Sequence, residues 1–155
     1  MSTMYDSVNV SALPAGGDAY AGYVGGHWPT YDAVVARFPG IPVLSIAVND
    51  TEDAEALDIE HGDAVVAQAS AWNARQRARG VTLPVNYTSV ANVGSLLAPV
   101  PRSSIRLWTA HYTGAPHLCS PACFPGMPTT ADATQWSDQG GAGTYDVSLL
   151  STTFF

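Results

Sequence analysis

The sequence predicts an α/β fold: one compact (β/α)8-like barrel of TIM type, 1–155, with several outer helices shortened or missing. Three observations carry this. About eight short apolar segments alternate with helical or loop segments, mostly in βα order. PVLSIAV, at 42–48, is a continuous apolar run of the kind buried on both faces of a parallel sheet. The chain has 155 residues, whereas a regular barrel takes roughly 250, so several outer helices must give way to loops. An open doubly wound sheet is the second architecture. Its Gly-rich phosphate fingerprint is missing after the first strand, which counts against it.

The elements follow in order. Met4 to Val10 reads as the first strand and Ala19 to Gly25 as the second, ending in Gly25-Gly26. Tyr31 to Phe38 is a short helix closed by Pro39-Gly40, and Pro42 to Val48 is the third strand. Ala56 to Glu60 is a fourth. The clearest helix runs from about Asp63 to Arg79. Asp63 is its expected N-cap, and Val65, Val66, Ala69 and Trp72 form its apolar face. Arg75, Arg77 and Arg79 suit the dipole at its end, and Gly80 supplies the left-handed stop. Leu83 to Tyr87 is a strand, Val90 to Leu97 a short helix, and Ile105 to Tyr112 a strong strand. The stretch from Thr113 to Asp132 is where loop replaces helix. Ala133 to Trp136 and Tyr145 to Leu149 complete the set.

Composition bounds the function. Thirteen acidic against six basic side chains give a net charge of −7. That balance argues against a nucleic-acid binder, which needs a basic face. No apolar run reaches the roughly 18 residues of a membrane helix, so membrane insertion is not expected. MSTMYDSVNV has no basic start followed by an apolar stretch, so no signal peptide is read there. On that reading the chain is cytoplasmic when synthesised, and its final location is left open. Cys119 and Cys123 lie four apart in HLCSPACFPG. The expected outcome is a loop-stapling disulfide or two idle thiols. A metal site with His111 and His117 is the other reading, set aside because zinc motifs bring paired ligand clusters. No metal or other cofactor is expected.

Three constellations can carry chemistry. In Asp58-Ile59-Glu60, strand alternation puts both carboxyl groups on one face. Like charges held close raise at least one pKa, and a carboxyl kept protonated near neutrality can act as general acid. Glycoside hydrolysis needs such a pair. Asp6 lies within an otherwise apolar strand, where an acid is costly unless it is paired or faces a site. The third group is C-terminal: Trp108, His111 and Tyr112 on one strand, Gln135 and Trp136 on the next, and Asp146 on the last. Aromatic faces beside amide and carboxyl groups suit sugar rings. For each of these residues the structural alternative (solvated acid, core aromatic, backbone-bonded histidine) stays open. No G-x-S-x-G elbow or H-E-x-x-H helix is present.

Together these segments resemble the glycoside hydrolase family 25 lysozymes and the related glycoside-hydrolase-like domains of actinobacteria and their phages. MYDSVNV is similar to the first strand with its acid, AGYVGG to the second strand, and LDIE to the D-x-E strand. LPVNYTS resembles the following strand, LWTAHYTG the W-x-A-x-Y segment, and ATQW with YDVSLL the closing strands. The resemblance implies a barrel that cleaves β-1,4 bonds in peptidoglycan or a related polysaccharide, with its site at the C-terminal ends of the strands. It implies Glu60 as general acid. Asp58 would assist the oxazolinium-like or oxocarbenium-like intermediate, or serve as base or nucleophile, and Asp6 and Asp146 would orient sugar or water. It further implies a groove lined by Tyr87, His111, Tyr112, Gln135 and Trp136, with Asn49 standing in on the third strand. That strand, VLSIAVND, lacks the family's aromatics. This motivates the alternative of a catalytically silent barrel that binds glycan or serves as a structural module in a phage particle or secretion assembly.

Overall fold

The computed structural model describes residues 1–155 and is a closed barrel of eight strands in sequence order. The strands are β1 (Ser2–Asp6), β2 (Ala19–Tyr23), β3 (Val43–Ala47), β4 (Ala56–Asp58), β5 (Val85–Ser89), β6 (Arg106–Ala110), β7 (Ala133–Gly140) and β8 (Tyr145–Leu150). Three α-helices decorate it: α1 (Tyr31–Arg37), α2 (Val66–Ala78) and α3 (Val93–Leu97). The pairings from β1 to β7 are parallel. The expected all-parallel order breaks at the end, because β8 is antiparallel to both β7 and β1. The reason is connection length. A parallel return needs a crossover of a dozen or more residues, and only 141–144 separate β7 from β8.

Side chains alternate inward and outward along each strand. Inward-facing Met4, Ala21, Leu44, Ala56, Val85, Trp108 and Leu150 fill the barrel's middle and lower part. Trp108 Nε1 donates to Ser148 Oγ across the interior at 3.0 Å, so its polar end is satisfied where water is excluded. The outer faces of β4 and β6 pack Leu57 and Leu107 against Trp72 of α2 and against Val93 and Leu96. A second outer cluster joins Leu13, Tyr20 and Val34 under α1.

Several expected boundaries move. The first strand stops at Asp6, and Val10–Ala12 form a 3-10 turn in which Asn9 Oδ1 accepts from the Ser11 amide. The helix α2 starts after Val65. Asp63 does not cap it; instead the Gln68 side chain reaches back to accept the Val65 amide at 2.8 Å. Val65 is therefore exposed. The buried face of α2 is Ala69, Trp72, Asn73 and Gln76. Two of those are polar, and Asn73 is satisfied by a reciprocal pair of hydrogen bonds with Asn86 of β5, at 2.8 and 2.9 Å. Gly80 has φ of +101° and ends the helix as expected. Cys119 and Cys123 are paired, with Cα atoms 5.7 Å apart.

Candidate active site

Four carboxyl groups gather at one end of the barrel. Asp6 ends β1, Asp58 ends β4, Glu60 follows two residues later, and Asp146 lies near the start of antiparallel β8. Each parallel strand puts its C-terminus at this end, where its last inward side chain meets open space. Asp6 and Asp146 are direct partners across the β1–β8 pairing. All four line one small cavity of about 100 Å³. Its walls also carry Tyr23, Ile46, Tyr87, Trp108, Tyr112 and Gln135. A wider groove of about 510 Å³ adjoins it and shares Tyr23, Asp58 and Glu60. The groove's rim holds Val8, His27, Trp28, Asn49 and Asp63.

Burial and mutual repulsion set the acids' protonation. Asp6 is 2% exposed and Asp58 is 7% exposed. Burial, then the charges of Asp146 and Asp58, hold the Asp6 proton well above the usual carboxyl range. Asp6 and Asp146 face each other across the β1–β8 pairing at the same cavity. Two like charges held so close oppose each other, which favours a proton on one of them. Asp146 is raised to about 6, first by burial, although the neighbouring Asp6 and Gln135 side chains work the other way. Asp58 is pushed up to about 8 by burial and then by Glu60 and Asp63. Glu60 is half-buried and is raised by burial, then by Asp63 and Asp146. No arginine lines either cavity, and the sequence contains no lysine. Nothing compensates the acids except protons and each other. One oxygen each of Asp6 and Asp58 is buried without a hydrogen-bond partner.

Neighbouring groups fix the walls. The Tyr87 hydroxyl hydrogen-bonds Gln135 Oε1, and its ring lies 4.5 Å from that of Trp108. Burial pushes the Tyr87 and Tyr23 hydroxyls far up, so both remain neutral donors. Glu52 ties the β2 and β3 ends together: its Oε1 accepts the Gly26 amide at 3.1 Å and its Oε2 the Val48 amide at 3.0 Å. A side chain at Gly25 would meet the Glu52 carboxylate and displace it from its two amide bonds.

Of the residues singled out in the sequence, Asp6, Asp58, Glu60, Tyr87, Tyr112, Gln135 and Asp146 meet in the small cavity. Asn49 lines the groove, but its Oδ1 is occupied by the amides of Thr51 and Glu52 and the Thr51 hydroxyl. Two expected groove residues are elsewhere. His111 turns away from the acids and meets His117, with Nδ1 and Nε2 2.9 Å apart. Trp136 sits between Gln135 and Ser137, where a β-bulge shifts the β7 register, and it lines neither cavity. Tyr23, Trp28 and Asp63 are wall residues that the sequence reading missed. Trp28 lies outside any strand and is 62% exposed, so no periodicity marks it.

No family model matches the chain, and no curated protein matches it. Solved structures do. A Bacillus stearothermophilus protein of uncharacterised function superposes with a TM-score of 0.68 at 15% identity, covering 98% of this chain and 97% of that one. GHIP, a glycosyl hydrolase 25 and virulence factor of Streptococcus pneumoniae participating in host cell invasion, gives 0.67 at 14% identity over 97% of this chain and 87% of its own. A family GH25 lysozyme from Aspergillus fumigatus gives 0.58 at 16%, covering 99% and 95%. The similarity runs over nearly the whole barrel in each case, and the chain has the fold of the family 25 lysozymes.

Proposed function

We propose that the chain is a glycoside hydrolase acting on peptidoglycan or a related polysaccharide, as the family 25 lysozymes of the same fold do. One observation carries this reading: four carboxyl groups converge on a cavity that opens into a groove walled by aromatic and hydroxyl side chains. Glycosidic cleavage needs a protonated acid beside the leaving oxygen and a negative group beside the developing oxocarbenium charge. Glu60 is the acid. It belongs to both the cavity and the groove, is more exposed than Asp6 or Asp58, and its raised pKa keeps a proton available. Asp58, behind it, stabilises the cationic intermediate or takes the base or nucleophile role. The Asp6–Asp146 pair holds one proton and orients sugar or water. Tyr87, Tyr112 and Gln135 bond sugar hydroxyls, and Trp28 stacks on a ring at the rim.

A second reading keeps the barrel but not the chemistry: a glycan-binding or structural module within a larger assembly. The observation that favours it is β3, which gives the cavity the apolar Ile46 rather than a polar group. Release of muropeptides from purified peptidoglycan, measured for the wild type and for Glu60→Gln, separates the two. Release by the wild type alone supports the hydrolase. Saccharide binding by both without release supports the binding module.

A further inference from the structure

Behind the acid cavity's Tyr112 wall, the long β6–β7 connection gathers a second group of reactive side chains. His111 follows the end of β6, and His117, Cys119 and Cys123 follow in the loop. Their ligand atoms all lie within 4.8 Å of one another. None of the four lines the acid cavity or the groove. A disulfide accounts for the two cysteines alone. It does not account for two imidazoles converging on the same point.

We propose that His111, His117, Cys119 and Cys123 form a closed, four-coordinate zinc site when the cysteines are reduced, and that zinc and the disulfide are alternative states of this loop anchor. Four protein ligands leave no open position, so the site is structural rather than catalytic. The two pairs, H-x5-H and C-x3-C, both fall within the spacing of such sites. These are the paired clusters whose apparent absence counted against a metal in the sequence.

The geometry needs small adjustments. Zinc bonds of about 2.3 Å to sulfur and 2.0–2.1 Å to nitrogen put tetrahedral ligand atoms about 3.3–3.8 Å apart. Cys119 Sγ already lies 3.9 Å from His111 Nδ1. The 2.9 Å between His111 Nδ1 and His117 Nε2 must open slightly. The tautomer of His117 is set from behind. Its Nδ1 lies 3.0 Å from the Ala115 carbonyl oxygen, which only accepts, so Nδ1 carries the proton and Nε2 offers its lone pair to the cluster.

The loop is also held without the S–S bond. The Cys119 amide donates to Thr134 Oγ1 at 2.8 Å, the Ala131 amide donates to the Cys119 carbonyl at 2.8 Å, and the Cys123 amide closes a turn on the Ser120 carbonyl at 2.9 Å. Cys119 is fully buried. The loop backbone is therefore held when the bond is broken, while the two sulfurs turn apart from bonding distance to about 3.8 Å. An external dithiol supplies two electrons and two protons, becomes a disulfide itself, and leaves two thiols. Zinc binding then releases both thiol protons to solvent and moves no electrons.

The test uses the full chain in oxidised form and after reduction by a phosphine, titrated with Zn²⁺ and, as a spectroscopic probe, Co²⁺. The expected result is one zinc per reduced chain, none per oxidised chain, and cobalt bands of tetrahedral coordination with thiolate-to-metal charge transfer. His117→Ala and Cys123→Ser should each weaken zinc binding by more than the roughly 10–100-fold that loss of a mere supporting group causes. Far-UV circular dichroism checks that each variant is folded. Three results would overturn the proposal: a folded, reduced wild type that takes up no zinc, binding that survives His111→Ala and His117→Ala unchanged, or a reduced chain that unfolds and is not restored by zinc.

Discussion

Asp6 and Asp146 stand directly opposite each other where the first strand meets the last, and the charge of Asp146, after burial, holds the Asp6 proton well above the usual carboxyl range. With Asp58 and Glu60 beside them, the barrel mouth stores protons at a pH where carboxyl groups are ordinarily ionised.

That storage makes stability depend on pH. Asp6, Asp58, Glu60 and Asp146 all have folded pKa values above their unfolded ones. The folded chain binds more protons than the unfolded chain between those values, so stability is greatest below about pH 4 as far as these groups decide it. It is lost as the pH rises through about 6 for Asp146 and about 8 for Asp58. Melting temperature should fall from pH 5 to pH 9. Asp58→Asn should flatten the upper part of that fall and stabilise the protein at pH 9 by on the order of a few kcal/mol. A melting temperature that rises over the same range contradicts this.

On the proposed mechanism, Glu60→Gln removes the proton donor and keeps the shape. Muropeptide release should drop about 10²–10⁴-fold, the usual worth of a positioned acid, with the melting temperature little changed at neutral pH.

Asp63 lies at the rim and raises the Glu60 pKa by its charge. Asp63→Asn should move the alkaline limb of the activity profile to lower pH, because Glu60 then gives up its proton earlier. An unmoved limb would mean that a different group supplies the proton.

Trp28 is exposed at the groove and packs into no core cluster. Trp28→Ala should raise KM about 2- to 10-fold through the lost stacking surface, and change stability by no more than about 0.5 kcal/mol. Steady-state kinetics on soluble peptidoglycan fragments and a melting curve read the two effects.

Asn73 and Asn86 test the outer layer. Asn73→Leu strands the buried Asn86 amide and should cost about 1–3 kcal/mol. The Asn73→Leu/Asn86→Leu pair should recover part of that loss in a denaturant titration.

Much of the barrel could be read from the chain because its segments obey local rules. VLSIA is apolar apart from Ser45, which is bonded to Glu55, and is largely buried on both faces. Asp58 and Glu60 both border the cavity, although β4 ends at Asp58 and Glu60 reaches the site from the loop beyond it rather than by strand alternation. What escaped was set by contacts between distant residues. Asp63 looks like an N-cap, yet the Gln68 side chain does that work one turn away. Trp136 follows inward-facing Gln135, so alternation itself keeps it out of the cavity. His111 lies just beyond the last residue of β6, and alternation from inward-facing Trp108 already puts it on the outer face, where it meets His117 and Cys119. Trp28 belongs to no element, so only the folded chain places it beside the acids.

The seam between the first and last strands also has a kinetic meaning. Ser2 pairs with Leu150, so a chain emerging from the ribosome holds an unsealed sheet with two bare edges until β8 appears. Contacts so remote in sequence form slowly. The step that joins them also forces two acids together, so refolding in mildly acidic buffer should outpace refolding at alkaline pH.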